Sequence, residues 1–570
     1  MVKSVAEKAS FELGSRQLGA LPVVNHFLAR IGVDEALEAH VPADDRRLRL
    51  APARALGVVV RNLIVDHEPV YAMGEWSQRY EPAVVGLGPD DAGLLNDDRV
   101  GRALDRLFDA DRAALLTRVV LGAVRAFGID CSELHNDSTT VTFAGEYRGG
   151  DGATRGGKAT AAITFGHNKD HRPDLRQLVW ILTVTADGAV PLAHRVVSGN
   201  TSDDTTHVGS WDELCALVGR KDFLYVADSK LCTRTAMDHI DSAGGRFVTV
   251  LPRTRREDAW FRDWVTRNTC AWAEALTVPA RRRDNPPDVL STFESPLGSA
   301  DGYRIIWVHS SAKAARDASS RAARLERAER DLRQLAERLA GPKARIKTRV
   351  GAEDAARAIL ADTFTVEFFD IHVADTHDTR YTASHRGRPG PNTTFRQTRT
   401  TRPRLTWKLR SHAVRRAAAS DGCWPLITNA ADLTPAEILA AYRYQPHLER
   451  RHHCLKGAQA VAPVHLHSPA RIEALLCCHF LALLTHALIE RQIRTAMTAA
   501  GAKTIDLYPE QRDCPSPSAA RVLDIFAGVT RHRLYQQGHL AQVFEPDLDD
   551  RQRSVLRLLE IPASVYQLSS

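Results

Sequence analysis

The chain has 570 residues, with 76 lysines and arginines, 69 aspartates and glutamates and a formal net charge of +7. Its 44% of hydrophobic residues exclude wholesale disorder. A chain of this length is typical of about three to four domains. Nine cysteines without a Cys-x-x-Cys pair exclude a disulfide scaffold and favour a reducing compartment. The amino end lacks the apolar segment of a signal peptide, so we expect a cytoplasmic protein.

The first 129 residues carry the apolar spacing of amphipathic helices. Val24, Phe27 and Leu28 recur at helical intervals, and residues 97–128 repeat the pattern. This spacing predicts a helical N-terminal domain over residues 1–129. Binding to a DNA end, binding to a partner and simple coverage of a core are alternative roles for such a domain.

Strands are expected from residue 130 onward. Three strand-like segments come first, and two helix–strand pairs follow them. The predicted strands are residues 133–143, 177–188, 190–200, 223–229 and 246–252. The predicted helices are residues 206–217 and 232–244. Their order predicts an α/β fold with a mixed sheet.

The remaining elements set the predicted divisions of the chain. A long charged helix near residues 312–339 interrupts an irregular stretch. Thr434 and Glu437 are placed to cap a later helix that continues to Gly457. Residues 1–129 are a helical domain, residues 130–254 the first part of the core and residues 255–420 an irregular segment. Residues 421–500 are the second part of the core, and residues 501–570 are a tail.

An apolar run at residues 474–489 is the best candidate for a membrane span. It has 16 residues and contains two histidines, whereas a span needs roughly 20 apolar residues. The run therefore predicts a buried core helix, and we expect no membrane partner.

Positive charge is concentrated in residues 379–420, which contain eleven lysines and arginines and no acidic residue. Within it, residues 386–404 are rich in glycine, proline and threonine, which predicts a loop. Phosphate oxygens are the natural partners of such a run, and a solvated loop without a ligand is the alternative. The candidate DNA contacts in this segment are Arg396, Arg399, Arg402 and Arg404.

Three carboxylates occupy positions in or directly after predicted core elements. Asp137 lies within the first strand, Asp228 ends a later strand, and Glu449 lies in the capped helix. A carboxylate at such a position is costly unless it is paired or holds a metal ion. Oxygen ligands suit Mg²⁺ or Mn²⁺, and two such ions can catalyse phosphoryl transfer. Loop or helix capping by these acids is the alternative.

The residues around these acids resemble a known family. Tyr442-x2-Gln445-x3-Glu449-x6-Lys456 is similar to the Tyr-x2-Arg-x3-Glu-x6-Lys signature of bacterial insertion-sequence DDE transposases. The resemblance extends through NDSTT around Asp137 and VADSK after the later strand. It also includes residues 166–178, 189–203 and 421–429, and covers roughly residues 15–490.

The resemblance implies a ribonuclease-H-like catalytic core interrupted by an insertion domain at residues 255–420. Asp137, Asp228 and Glu449 would be the catalytic acids and would hold two Mg²⁺ ions, for which Mn²⁺ can substitute. The implied activity is cleavage of the element ends and transfer of their 3′-hydroxyls to target DNA. The implied partners are double-stranded DNA, namely terminal inverted repeats and target, and a second copy of the chain. The implied location is the bacterial nucleoid.

The match departs from the signature at one position, because Gln445 replaces the arginine. Glutamine offers a neutral hydrogen bond where arginine offers a charged fork to phosphate. Tyr442 and Lys456 retain the family residues and are candidate DNA contacts, with packing as the alternative for the tyrosine. Lys169 and Arg172 are further candidates, unless their loop is a turn held by an Arg–Asp pair.

Two other functions are compatible with the same residues. A divalent-metal nuclease would use the same acids without strand transfer. A catalytically silent protein could occupy the element ends and repress transposition.

Overall fold

The chain divides into two compact units, residues 1–249 together with 440–570, and residues 250–439. The structure is a computed structural model. The residues that the structure describes are 11–43, 48–145, 147, 150, 152–280, 282, 285–341, 343–457, 459, 461, 462, 464–508, 510 and 512–568.

The first unit begins with a helical region, as its apolar spacing predicts. Helix starts follow local rules: Asn96 and Asp111 each accept a hydrogen bond from a backbone N–H of the helix that follows. The helices are Leu21–Ile31, Val33–His40, Pro52–Val65, Met73–Arg79, Pro82–Val85, Asp97–Asp109 and Arg112–Phe127.

The two ends of the chain pair with each other, which the sequence analysis missed. Residues 1–129 were expected to be entirely helical, but Phe11–Gln17 is a strand. It pairs antiparallel with Thr530–Gln536, which in turn pairs with His539–Phe544. The predicted C-terminal tail therefore supplies two strands of a three-stranded sheet. The pairing was missed because the partner of the first strand is more than 500 residues away in sequence.

A mixed sheet forms the centre of the first unit. In chain order its strands are Glu133–Phe143, Arg176–Thr185, Pro191–Ser198, Leu224–Ala227 and Arg246–Val250. Numbered in that order, they are arranged 3-2-1-4-5 across the sheet. The first three pair antiparallel, while the fourth runs parallel to the first and the fifth parallel to the fourth. The predicted α/β class with a mixed sheet is confirmed.

The remaining helices of this unit surround its core. They are His207–Val218, Arg234–Ser242, Gln445–Lys456, Pro469–Ala499, Ala519–Asp524 and Asp550–Leu558. Helix Pro469–Ala499 is long and apolar enough to cross a membrane, but 94% of its most apolar window is buried inside the protein. It packs against helix Pro52–Val65 and strand Pro191–Ser198. The prediction of a buried core helix is confirmed.

The second unit contains an antiparallel group of four strands. Cys423–Thr428 pairs with Arg304–Ser310, followed by Asp288–Glu294 and Ala273–Val278. Helix Arg256–Trp264 covers this group and stacks Phe261 on Trp307, with ring centroids 3.6 Å apart. The strand at 423–428 belongs by its pairing to this unit, so the unit extends beyond the predicted boundary at residue 420.

The second unit also contains a helix pair and a β-ribbon. The helices Ser311–Ala340 and Arg349–Asp362 pack on the base of the ribbon. The ribbon strands, Phe369–Ala383 and Phe395–Leu409, pair antiparallel without a register shift. The loop expected for residues 386–404 is therefore confirmed for 386–394 and wrong for 395–404, which belong to the second ribbon strand. Threonine-rich strands favour extended pairing, and glycine and proline are confined mainly to the connection at 384–394.

Candidate active site

Two neighbouring strands bring Asp137 and Asp228 together. Strand Glu133–Phe143 runs parallel to strand Leu224–Ala227, with Asn136 paired to Ala227. Asp137 and Asp228 are the next residues along each strand, and neighbouring strands are about 4.8 Å apart. The two carboxylates therefore lie at adjacent positions of one sheet.

Lys169 lies beside the first of these carboxylates. Its ammonium is 3.4 Å from Asp137 Oδ1 and 3.1 Å from Asp203 Oδ2. It also donates to the backbone oxygen and the hydroxyl of Ser138, both at 2.7 Å. The lysine predicted as a DNA contact is thus the counter-ion between two aspartates.

Burial and charge act in opposite directions at this cluster. Burial raises the pKa of Asp137, while the Lys169 ammonium and the Ser138 N–H partly oppose this shift. Burial also raises the pKa of Asp228, the Lys230 N–H opposes it, and Asp137 adds to it. Burial lowers the pKa of Lys169, but the nearby aspartates outweigh burial and raise it overall. Burial therefore disfavours the charged form of both carboxylates, and the Lys169 ammonium offsets part of this effect at Asp137.

The helix that carries Glu449 is not continuous with the capped helix before it. The cap itself is as predicted, since Thr434 N–H donates to Glu437 Oε2 at 2.8 Å and Glu437 N–H to Thr434 Oγ1 at 3.3 Å. However, that helix ends at Tyr442, and a second one, Gln445–Lys456, begins three residues later. Pro446 explains the break, because proline lacks an N–H and its ring clashes with the carbonyl four residues before it.

Glu449 is exposed on this second helix, which packs against strand Glu133–Phe143. His452, three residues further on, is buried and places Nε2 3.9 Å from Asp137 Oδ2. Burial, reinforced by the charges of Lys169 and Lys456, lowers the pKa of His452 to about 3, so the imidazole is neutral at physiological pH. The helix thus faces strand Glu133–Phe143 through a neutral histidine.

The phenol of Tyr442 lies close enough to all three predicted acids for their charges to affect its pKa. Burial and the negative charges of Asp228, Asp137 and Glu449 raise the pKa of its phenol to about 12. Its hydroxyl has no hydrogen-bond partner among the described residues. It is therefore a protonated donor within the electrostatic range of the three carboxylates.

Gln445 and Lys456 have partners inside the protein. Gln445 Nε2 approaches the carbonyl of Val226 at 3.5 Å, in the strand that leads to Asp228. Lys456 Nζ contacts both carboxylate oxygens of Asp170, at 2.7 and 2.8 Å. Both side chains make contacts within the protein in this conformation. That they contact DNA stays a prediction.

Arg172 belongs to the Arg–Asp turn that was the alternative interpretation of its loop. It forms two hydrogen bonds with Asp174, at 2.9 and 2.7 Å. The buried Asn168 side chain accepts from the N–H groups of Asp170 and Arg172, which closes the turn. The turn fixes the segment that carries Lys169.

Sequence reasoning missed Asp203 and His452 as members of the cluster. Asp203 follows strand Pro191–Ser198 after a short loop. The sequence analysis considered this segment only for its resemblance to the transposase family. The signal available was a carboxylate after a core strand, the same signal that identified Asp228.

The predicted basic contacts lie on the β-ribbon of the second unit. Arg396, Arg399 and Arg404 are exposed and have no ion pair or hydrogen bond among the described residues. Arg402 is half-buried and donates to the carbonyl of Ala340 at 3.0 Å, at the end of the long helix. Three of the four arginines are therefore free to bind an anion.

The donor set at Asp137 and Asp228 fits a divalent cation. Carboxylate oxygens are the ligands that Mg²⁺ prefers, and the Lys169 ammonium is a stand-in cation at Asp137. Within the described part of the chain, no three histidine, cysteine, aspartate or glutamate side chains form a group that could hold one ion. Glu449 therefore does not complete a three-ligand set in this conformation.

Replacing Lys169 by methionine is expected to increase the affinity for Mn²⁺ about 10-fold, since a competing positive charge is removed from the carboxylates. Without metal, the same variant should unfold several degrees lower, because the aspartates lose their counter-ion. Manganese binding can be followed by electron paramagnetic resonance, and unfolding by circular dichroism in EDTA.

The matched control is Lys230→Met, since Lys230 is exposed beside Asp228 and its side chain has no ion pair among the described residues. Equal Mn²⁺ affinity in wild type and Lys169→Met would show that the lysine does not compete with the metal.

The comparisons with known proteins cover only part of the chain. Residues 13–121 match a family described as a domain of unknown function, DUF4277. This region runs from the first strand into the last helix of the N-terminal helical region. No curated protein matches the chain.

Proposed function

We propose that the chain is a DDE transposase that cuts the ends of an insertion element and joins their 3′-hydroxyls to target DNA. The observation that carries the proposal is the placement of Asp137 and Asp228 at adjacent positions of two parallel strands. Two half-buried carboxylates lie side by side, and an ammonium is the counter-ion of the first. This arrangement suits the binding of a divalent cation that contacts a phosphate.

The sheet order supports a ribonuclease-H-like core. The resemblance places the first acid on the first strand and the second acid after the fourth. The five strands of the first unit have the order 3-2-1-4-5, with Asp137 on the first strand and Asp228 after the fourth. The two acids are neighbours because the first and fourth strands pair directly.

In the proposed reaction Asp137, Asp228 and Glu449 would hold two Mg²⁺ ions, and these ions would supply activation of the attacking oxygen and stabilisation of the leaving oxygen. Tyr442 stays protonated and can donate to a phosphate oxygen, since its pKa is raised to about 12. Lys169 is positioned by Ser138 and can shift its ammonium from the carboxylates to the substrate. The residues of this chain therefore supply charge and orientation.

The proposed substrate is double-stranded DNA. The exposed arginines of the ribbon provide phosphate contacts outside the active site. Joining two element ends requires two active sites, so we propose a homodimer on DNA, located at the bacterial nucleoid. The helical region that matches DUF4277 is proposed to bind a DNA end.

The proposal is tested on a supercoiled plasmid that carries the gene with its native flanks. Purified protein is added with Mg²⁺ or with EDTA, and the new DNA ends are mapped at nucleotide resolution. We expect discrete, Mg²⁺-dependent cuts on both flanks of the gene. Scattered cuts would instead indicate a nuclease without strand transfer.

A catalytically silent DNA-binding protein is the second candidate. It is favoured by Gln445, whose side chain contacts the backbone of Val226, and by Lys456, which is neutralised by Asp170. Binding to the flanks without cuts, at every divalent-ion concentration, would support this function.

A further inference from the structure

The end of the β-ribbon carries a short basic segment that the proposed chemistry does not use. The strands are joined by residues 384–394, which contain Arg386-Gly387-Arg388-Pro389. Arg386 and Arg388 are exposed, and neither has an ion pair or hydrogen bond among the described residues. Two unpaired guanidinium groups thus lie close together at the end of the ribbon.

The ribbon is anchored at one end and exposed at the other. Phe369, Val373 and Leu405 at its base are buried against the helix pair. From residue 376 to the connection, and from there to residue 401, nearly every residue is exposed. A strand of 15 residues spans roughly 50 Å, so the connection projects from the body of its unit.

The backbone of the connection is shaped for close approach to a narrow groove. Gly387 has a φ of 129° and would have no atom within 4 Å of an added Cβ. Glycine at this position leaves the backbone bare between the two arginines. Pro389 and Pro391 follow within four residues and fix φ near −65° at their positions, and the Thr393 N–H closes a turn on the carbonyl of Gly390.

The DNA minor groove matches these properties. It is about 6 Å wide and is narrower in A·T-rich tracts, where its negative potential attracts arginine. A side chain with a planar, weakly hydrated charge enters such a groove more readily than lysine. The bare glycine allows the arginines on either side to reach the base edges.

The ribbon strands carry arginines that could contact the phosphates on either side of the DNA minor groove. In the strand register, Arg380, Arg396 and Arg404 lie on one face and Arg399 lies on the other. Tyr381 and Phe395, on the face of Arg399, are 63% and 52% exposed. Positive charge on both faces of the ribbon allows it to contact the phosphates of both DNA strands that border a groove.

We propose that the segment Arg386–Pro389 inserts into the minor groove of A·T-rich duplex DNA, while the ribbon arginines contact the flanking phosphates. This inference deepens the proposed function and rests on it for the choice of a DNA partner. It names the groove and the base composition that the ribbon recognises.

The test measures binding of the full chain to fluorescent duplexes by polarisation, in EDTA. One duplex of 20 base pairs contains a central A·T tract and the other only G·C pairs. The variants are Arg386→Ala/Arg388→Ala, Arg386→Lys/Arg388→Lys and the control Arg345→Ala/Lys347→Ala. The control pair is exposed, has no ion pair among the described residues and belongs to the same unit.

Wild type is expected to bind the A·T duplex about 10-fold more tightly than the G·C duplex. The double alanine variant should lose this preference, and its salt slope should fall by about 2. The double lysine variant should keep the slope and lose the preference, because it keeps only the charge. The control should keep the preference, and the minor-groove ligand netropsin should compete with wild type.

An equal affinity of wild type for the two duplexes would overturn the inference, as would an A·T preference that survives the double alanine change. Tighter binding to duplex RNA or to an acidic peptide would also overturn it. Because no divalent ion is present, these results do not depend on cleavage. Cuts at the element ends without an A·T preference would keep the proposed function and remove this inference alone.

Discussion

Asp228→Asn is expected to reduce Mg²⁺-dependent DNA cleavage at least 1000-fold, roughly 4 kcal/mol of transition-state stabilisation. The amide keeps the shape of the side chain but lacks the negative charge that attracts a cation. DNA binding through the ribbon should be unchanged. The measurement is the rate of end formation on the plasmid, alongside polarisation with a flank duplex.

The stability of this variant separates loss of chemistry from loss of fold. Burial and the neighbouring Asp137 disfavour the charged form of Asp228, so a neutral amide should not lower the unfolding temperature in EDTA. Asp90→Asn, an exposed change in the same unit, is the matched control for cleavage. Full cleavage by Asp228→Asn would remove this aspartate from the catalytic machinery.

The first unit is expected to unfold on mild acidification, because the imidazole groups of four of its histidines are desolvated and neutral. Burial lowers their pKa values to about 3 for three of them and to about 4 for the fourth. His452, His479 and His486 are buried residues, and His194 is half-buried with both ring nitrogens buried.

The sign follows from proton binding. The unfolded chain takes up these protons near pH 6.5 and the folded chain does not, so stability is complete above that pH and is lost as the pH falls toward 3. Four such groups give a slope of about 5 kcal/mol per pH unit. Circular dichroism and tryptophan fluorescence from pH 8 to pH 4 measure the transition.

His194→Phe tests one of these groups. Neither ring nitrogen of His194 has a hydrogen-bond partner, and the ring lies against Phe480 with centroids 4.7 Å apart. A phenyl ring should be tolerated at pH 8 and should recover about 2 kcal/mol at pH 5. His453→Phe, at an exposed position of the helix Gln445–Lys456, should leave the acid transition unchanged. An identical transition in His194→Phe would show that this histidine is already charged in the folded state.

The order of elements could be predicted from local patterns, since each strand and helix is encoded by its own apolar spacing. The strand with Asp137 spans residues 133–143 both in the sequence analysis and in the structure. The helix break before Gln445 was also readable, because Pro446 is a local signal. It was missed because the spacing of the family signature suggested one continuous helix.

The candidate site shows the limit of local reasoning. The sequence identified Asp137 and Asp228 by their positions in core strands, but it assigned Lys169 to DNA. Only the sheet pairing and the Asn168 turn place its ammonium between Asp137 and Asp203. An ion pair between residues distant in the chain leaves no periodic signal.

The sequence by itself determined the fold class, the core helix and the positions of Asp137 and Asp228 in or after core strands, because apolar periodicity and a charge at an apolar strand are local properties. The tertiary structure alone decided the pairing of the two ends of the chain, the counter-ion at Asp137 and the ribbon formed by the arginine-rich segment. Each depends on which distant segment supplies the hydrogen bonds or the opposite charge, and that choice is made by packing of the whole unit.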